Sequence, residues 1–302
     1  TPQIEQPASS GGHDLTAFDG HLFLGADDGP LAEGGGGHGD EPWISDGTAA
    51  GTRLLADTCP GACDGTPNPL GRLGRRGDLV FGAGPLGQPA VWRTDGTPAG
   101  TVGVAGLPYP GARPREGVSL RGRVHFLLRG PAGDELWASD GTAAGTARVS
   151  HLAWPGGNGL HTARDLTAAG GLLYLAVHHD ATGEELWVSD GTAAGTRLVA
   201  EIAPGPTGAA PQSFAKVDGR LAFAAYEPAT GLELWVSDGT AAGTLLLADL
   251  APGRDSSSPA EITPVGPLLY FTADDGLHGR ELWTLPRAAL GGPRKVLTGP
   301  LF

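Results

Sequence analysis

The sequence is poor in methionine, cysteine, aromatic residues and positive charge, and these shortages exclude several classes of protein. The 302 residues include no Met and two Cys, 6% are aromatic, and 20 Lys and Arg stand against 33 Asp and Glu. The formal net charge of −13 would repel a phosphate backbone, so we expect no nucleic-acid partner. No apolar run reaches the roughly 18 residues of a membrane-spanning helix, so we expect no membrane-spanning segment.

The missing methionine and the two cysteines both bear on location. The chain begins at Thr1 without an initiator Met, which is the pattern of a mature chain whose targeting segment has been removed. Both cysteines lie in the stretch Cys59-Pro-Gly-Ala-Cys63, where a Pro-Gly turn can bring the thiols together. We predict a local disulfide, with two free thiols or a metal site as the alternatives. A disulfide favours a secreted, extracellular or cell-surface protein.

Tryptophan, although scarce, recurs at regular intervals. Six tryptophans in similar contexts are separated by 45 to 50 residues, and they are Trp43, Trp92, Trp137, Trp187, Trp235 and Trp283. The 52 Gly and 26 Pro are spread along the chain and indicate many tight turns between short strands. A repeat of about 40 to 50 residues with this composition is typical of β-propeller blades.

Each repeat reads as four short strands. In the fifth repeat the predicted strands are 213–217, 221–225, 233–236 and 244–248, and in the sixth they are 261–265, 268–272, 281–284 and 295–297. We therefore predict an all-β fold, a six-bladed β-propeller with four antiparallel strands per blade, as a single domain over residues 1–302. Residues 1–12 are expected to be an N-terminal extension or closure segment. We expect the stretch Asp14–Phe18 to close the propeller by pairing with the C-terminal strands.

The most faithful part of the repeat is a twelve-residue motif. Residues 185–196 and 233–244 both read ELWVSDGTAAGT, and residues 135–146 differ from them at one position. The motif resembles the ELWxxDGT repeat family of bacterial extracellular and surface proteins, and the resemblance covers almost the whole chain. It implies a repeat architecture and an extracellular setting, and it implies no particular reaction.

The motif has a structural explanation and a functional alternative. We expect Trp187 and Trp235 to pack between neighbouring blades and Asp190 and Asp238 to accept hydrogen bonds from turn amides. The alternative is that each Asp-Gly-Thr turn binds calcium or another ligand. The structural explanation is favoured because the turn has local hydrogen bonds of its own to make.

Binding residues are instead expected in the variable loops at the opposite ends of the strands. The ligand-binding candidates include one tryptophan outside the repeat register and several histidines, and they are Tyr109, His151, Trp154, His161, His178, His179 and Asp180. Trp154 offers an aromatic platform for a sugar ring or a partner side chain, or a simple loop anchor. The histidines and Asp180 are either ligands of a metal such as zinc or solvated loop residues.

No cofactor is certain from the sequence, and calcium is the candidate that the acidic residues raise. The acidic pairs Asp27-Asp28 and Asp274-Asp275 offer the oxygen ligands that calcium prefers, but each also fits an Asp-Gly turn.

Taken together, these features favour a secreted, non-enzymatic binding or assembly module that contacts a glycan or an extracellular surface protein. The alternatives are a propeller enzyme, namely a polysaccharide lyase or hydrolase or an esterase with bound calcium or another metal, and a structural subunit of an extracellular assembly. Since the motifs of serine hydrolases, phosphate-binding loops and zinc proteases do not occur, we lean away from an enzyme.

Overall fold

The computed structural model describes residues 12–27, 37–61, 63–74, 77–152 and 162–291, and almost all of its regular structure is β-strand. Six antiparallel sheets follow one another along the chain, one for each tryptophan-marked repeat. The prediction of an all-β fold is confirmed, and six sheets agree with a count of six blades. The described residues divide into two compact units, one within 1–131 and 135–148 and the other within 132–134 and 149–302.

The first unit contains the first three sheets, each with four strands. The first sheet consists of β1 (His13–Phe18), β2 (His21–Asp27), β3 (Asp40–Ser45) and β4 (Arg53–Leu54). The second sheet consists of β5 (Asn68–Arg72), β6 (Leu79–Ala83), β7 (Ala90–Thr94) and β8 (Val102–Gly106). The third sheet consists of β9 (Arg115–Leu120), β10 (Arg123–Gly130), β11 (Gly133–Ser139) and β12 (Ala147–His151), and the unit boundary falls within it.

The second unit contains the other three sheets. The fourth sheet consists of β13 (Ala163–Ala169), β14 (Leu172–His179), β15 (Gly183–Ser189) and β16 (Arg197–Ala200). The fifth sheet consists of β17 (Gln212–Val217), β18 (Arg220–Glu227), β19 (Gly231–Ser237) and β20 (Leu245–Ala248). The sixth sheet consists of β21 (Ala260–Val265), β22 (Leu268–Asp274) and β23 (Arg280–Pro286), followed by the 3-10 helix η1 (Arg287–Gly291).

Every sheet is a meander, with strands in chain order and neighbours antiparallel. Successive connections therefore alternate between its two ends. We call the end with the connection between the second and third strands the loop end, and the opposite end the turn end. The predicted strand 295–297 lies outside the described residues. The prediction that Asp14–Phe18 pair with the C-terminal strands was wrong, because these residues form β1 and pair with β2 through a short hairpin at 19–20.

Within each unit, apolar side chains from one sheet pack against the next. Phe23 and Ile44 of the first sheet cluster with Phe81 of the second. In the second unit, Trp235 of β19 lies in one cluster with fourth-sheet residues such as Leu186 and is 7% exposed. Burial of this kind contributes about 25 cal/mol per Å² of apolar surface, so these clusters are the main source of stability.

Two further features bear on the setting of the protein. The predicted disulfide between Cys59 and Cys63 is confirmed, and its Cα atoms lie 5.6 Å apart in the connection that follows β4. Among the described residues, no helix combines the length and the apolar composition needed to cross a membrane.

Candidate functional site

The Asp-Gly-Thr turns at the turn ends satisfy their own polar groups. In the fifth sheet, Oδ1 of Asp238 accepts hydrogen bonds from the backbone N of Thr240 at 3.0 Å and from its hydroxyl at 2.7 Å. The Thr240 hydroxyl oxygen accepts from Gly243 N, and Gly239 N donates to the Ser237 hydroxyl. These bonds hold the pKa of the Asp238 carboxyl below its usual value. The turn is a closed hydrogen-bonded unit.

The glycine of the turn also contacts the preceding sheet. Gly239 has a φ of 88°, and a Cβ placed on it would lie 2.5 Å from Cδ1 of Leu172 in β14. Arg197 of β16 donates a hydrogen bond to the Gly239 carbonyl oxygen at 3.1 Å, and Arg53 donates to Gly96 O at 3.0 Å in the first unit. A side chain at this glycine would separate two packed sheets, so the turn joins neighbouring sheets within a unit.

The glutamate of the motif fixes the connection that leads to the next sheet. Glu41, Glu185 and Glu233 are fully buried near the loop ends of their sheets. The Glu185 carboxylate accepts hydrogen bonds from the backbone N of Ile202 and of Ala203, each at 3.0 Å. The corresponding donors are Thr58 and Cys59 for Glu41, and Leu250 and Ser257 for Glu233.

This role of the glutamate was not predicted from the sequence. Burial raises the pKa of Glu185 to about 7 and also raises the pKa of Glu41 and Glu233, although their hydrogen-bond donors act in the opposite direction. The available signal was that a Glu stands two residues before the Trp in five of the six repeats. A charged residue repeated inside an apolar strand indicates a buried acceptor with fixed donors.

The third sheet uses its motif glutamate differently. Glu135, which is 2% exposed, accepts a hydrogen bond from the Tyr109 hydroxyl at 2.9 Å. It also accepts from Nη1 of Arg148 at 3.1 Å and from Nε1 of Trp137 at 2.9 Å. Burial and the neighbouring Glu135 raise the pKa of Tyr109. The phenol ring is therefore anchored at its hydroxyl end, which holds Tyr109 in one position at the loop end of the sheet.

A cavity of about 680 Å³ lies beside Tyr109, and we call it the Tyr109 cavity. It is lined by residues 109–113 of the β8–β9 connection, by Arg115, and by residues 129–131 at the β10–β11 turn. The cavity lies at the loop end of the third sheet, where the sequence predicts variable binding loops. Its volume is within the range of about 300–1,000 Å³ that is usual for small-ligand pockets.

Among the described residues that line this cavity, three are arginines and none is Asp or Glu. Arg113 donates from Nη1 to the carbonyl oxygens of Gly65 and Thr66, each at 3.3 Å. Arg115 lies beside Glu116, with 3.3 Å between Nη1 and Oε1. Glu116 has a φ of 52° at a β-bulge in β9, and a bulge of this kind redirects the neighbouring side chains.

The other ligand-binding candidates are not gathered around Tyr109. His151 is exposed at the end of β12, and Asp180 is exposed in the turn after β14. His178 and His179 are consecutive in β14, so they point to opposite faces of the sheet. His179 is 2% exposed and stacks on Trp187 with 5.1 Å between ring centroids, which makes it part of the packing. Trp154 and His161 lie outside the described residues.

The acidic candidates form local turns where they are described. The Asp275 carboxylate accepts from the backbone N of Leu277 and of His278, and its Oδ2 lies 2.8 Å from Nδ1 of His278. These contacts lower the pKa of Asp275 to about 2. Asp274 accepts from Gly276 N, which is the Asp-Gly turn that the sequence offered as the alternative to calcium.

Asp27 ends β2 opposite Asp40, and Asp28 lies outside the described residues. Within the described ranges, no group of three or more His, Cys, Asp or Glu side chains is arranged to hold a metal ion.

Comparison with solved structures supports a propeller-like fold. The chain is similar to a structure from a study of two prolyl endopeptidases, with a TM-score of 0.57 and 10% identity over 95% of this chain and 42% of that one. It is also similar to prolyl oligopeptidase B from Galerina marginata, with a TM-score of 0.53 and 10% identity over 90% of this chain and 40% of that one. The chain thus spans about two fifths of the length of these proteins.

At this identity the likeness concerns the fold alone, which is similar to the propeller domains of these peptidases. No family model and no curated protein matches the sequence.

Proposed function

We propose that this chain is a six-bladed β-propeller of the ELWxxDGT repeat family and acts as a secreted, non-enzymatic binding module. Its loop ends contact a glycan or another extracellular surface protein. The Tyr109 cavity is the observation that carries this proposal, since it places an aromatic ring anchored at its hydroxyl beside three arginines at a loop end. The Cys59–Cys63 disulfide supports an oxidising, extracellular setting.

The contrast with the Asp-Gly-Thr turns favours binding at the loop ends. Each turn carboxylate already accepts hydrogen bonds from the threonine two residues later. A ligand at the turn would have to compete with these local bonds. A ligand in the Tyr109 cavity would instead meet a ring and guanidinium groups that line open space.

A glycan array tests the proposal. We expect the protein to bind at least one class of glycan, and we expect Tyr109→Ala to weaken that binding at least tenfold. Tyr270→Ala is the matched control, because Tyr270 does not line the cavity. If Tyr109→Ala still bound the glycan, a site at this cavity would be contradicted. If the protein bound no glycan on the array, the remaining partner would be an extracellular surface protein, and the same two variants would be compared for binding to it.

Repeating the array in EDTA separates direct binding from binding through calcium. We expect no effect of EDTA, since the described part of the chain groups no three metal-ligating side chains. Loss of binding in EDTA would instead favour the calcium alternative at Asp27, Asp28, Asp274 and Asp275.

A further inference from the structure

The Tyr109 cavity has a charge opposite to that of the protein as a whole. The chain carries a net charge of −13, with 20 basic against 33 acidic residues. Yet Arg113, Arg115 and Arg129 all contribute to the lining of this one cavity, and none of its described lining residues is Asp or Glu, with Glu116 beside Arg115 as the neighbouring carboxylate. A concave surface lined by one sign of charge concentrates ligands of the opposite sign. The cavity is therefore suited to an anion, although the average surface repels one.

We propose that the Tyr109 cavity binds the anionic group of an acidic polysaccharide, a carboxylate or a sulfate carried on a sugar ring. This inference rests on the proposed function and names the class of glycan. Guanidinium groups form paired hydrogen bonds with carboxylate and sulfate oxygens, and they are more weakly hydrated than lysine ammonium groups. Arg113 and Arg129, together with Arg115 beside Glu116, favour an oxyanion over a neutral ligand.

Arg113 is already held in place for this role. Its Nη1 donates to the carbonyl oxygens of Gly65 and Thr66, which orients the guanidinium group. Carbonyl oxygens are neutral, so the contacts fix the position of the side chain and leave its positive charge for a ligand. Positioning before binding reduces the entropy that binding would otherwise cost.

The rest of the lining fits a sugar ring better than a peptide chain. Tyr109, Pro110 and Pro131 present flat, mostly apolar surfaces next to the arginines. Leu86, which is 64% exposed, lies in the adjoining connection, where its carbonyl oxygen accepts a hydrogen bond from Gly111 N. Tyr109, whose hydroxyl is bonded to Glu135 and which packs partly against the core cluster, adds aromatic surface to the lining that can contact the C–H groups of a sugar.

Three polymers with the same backbone provide the test, namely neutral dextran, carboxymethyl dextran and dextran sulfate. Binding is measured at about 0.15 M salt, where exposed charges more than about 8 Å apart are largely screened. We expect the protein to bind at least one charged polymer at least tenfold more tightly than neutral dextran. The polymer that binds more tightly identifies the anionic group. Equal binding of all three would overturn recognition of charge and would leave the proposed glycan-binding function standing.

Substitutions locate the binding. We expect Arg113→Gln combined with Arg129→Gln to weaken binding to the charged polymer by about ten- to a hundredfold, which corresponds to about 1.4–2.8 kcal/mol. The control combines Lys216→Gln with Arg254→Gln, two exposed residues outside the cavity. It changes the net charge by the same amount. An equal loss in both double variants would show non-specific attraction and overturn the proposal.

Two further outcomes keep the test decisive. Thermal unfolding of each variant establishes that it is folded, and Arg129→Gln alone replaces the double variant if that one is unfolded.

Poly-glutamate serves as an acidic peptide. If it bound as tightly as the charged dextrans and lost binding in the cavity variant, the partner would be an acidic protein segment, and the saccharide class would be overturned. If none of these polymers bound and the glycan array were silent as well, the proposed glycan function would fail with it.

Discussion

The Asp-Gly-Thr turns and the Tyr109 cavity both place charged side chains at the ends of sheets, but they differ in how those charges are satisfied. In each turn the aspartate accepts hydrogen bonds from a threonine two residues away, so the charge is used within the motif. In the cavity, Arg113 is held by two neutral carbonyl oxygens from another connection. The repeated charge is structural, and the charge of Arg113 is the one that we propose for a ligand.

The largest effect expected from this comparison is on the scaffold. Trp235→Ala removes a side chain that is 7% exposed and packs in the cluster between the fourth and fifth sheets. We expect the free energy of unfolding to fall by about 3–5 kcal/mol, as measured by urea denaturation. Affinity for a ligand of the Tyr109 cavity should be unchanged wherever the variant is folded.

Trp235→Phe is the matched control. Within the described part of the chain, Nε1 of Trp235 has no hydrogen-bond partner, so a phenyl ring keeps most of the packing. We expect it to lose less than half of the stability lost by the alanine variant. Equal losses would mean that the indole is held by something other than apolar packing.

The second expected effect is that the free energy of unfolding depends on pH because of Glu185. Its pKa is raised from 4.5 to about 7 by burial, so the folded protein binds the proton more tightly than the unfolded chain does. The contribution of this group to the free energy of unfolding is therefore complete below pH 4.5 and falls as the pH rises through 7. The free energy of unfolding that Glu185 contributes below pH 4.5 and loses above pH 7 is about 3 kcal/mol at most.

Glu185→Gln tests this directly, because an amide stays neutral over the whole range. Urea denaturation at pH 4.5, 5.5 and 7 should show a smaller decrease of stability with pH in the variant than in the unsubstituted protein. The turn aspartates Asp46, Asp95, Asp140 and Asp238 have lowered pKa values, so their contribution is lost only in acid and does not obscure this window. Parallel pH profiles for the two proteins would contradict a protonated Glu185.

The third expected effect is a loss of stability on substitution of the turn glycines, and it separates the cost of backbone strain from the cost of a clash between sheets. Gly239 and Gly47 occupy the same turn position with φ values of 88° and 90°. A Cβ on Gly239 would meet Leu172, whereas nothing lies within 4 Å of one on Gly47. We expect Gly47→Ala to cost about 1 kcal/mol through its left-handed backbone. Gly239→Ala should cost about 1–2 kcal/mol more through overpacking. Equal losses would mean that the turn does not support the neighbouring sheet.

The sequence predicted the scaffold better than the site, and the reason is physical. A propeller-like repeat must bury the same face in every unit, so the tryptophan spacing and the hairpins recur and can be counted. The disulfide was predictable because its two cysteines are neighbours in the chain. The exception was at the first strand, where Asp14–Phe18 pair with β2 in the first sheet.

No repeated sequence pattern predicts the Tyr109 cavity. Its described lining comes from residues 109–113 with Arg115 and from residues 129–131, and these two segments are brought together only when the third sheet forms. Tyr109 was predicted from its loop, but the arginines beside it carry no motif. His179 was a candidate ligand because imidazole suits zinc and similar metals, whereas its position on β14 stacks it on Trp187. Residue type alone does not distinguish these two cases.

The smallest expected effect lies where scaffold and site meet, at Glu135. Tyr109→Phe removes one hydrogen bond to this buried carboxylate and leaves the ring in the cavity lining. Urea denaturation should show a loss of about 1 kcal/mol. Affinity for the charged polymer should fall about two- to threefold, because a ring that is no longer anchored must be ordered on binding.

Arg148→Gln is the control that separates the two roles of Glu135. Arg148 also donates to this carboxylate, but it does not line the cavity. We therefore expect a similar loss of stability without a change of affinity. If both variants weakened binding equally, the carboxylate itself would be acting on the ligand site through its charge. If neither did, Tyr109 would contribute packing only, and recognition would rest on the arginines.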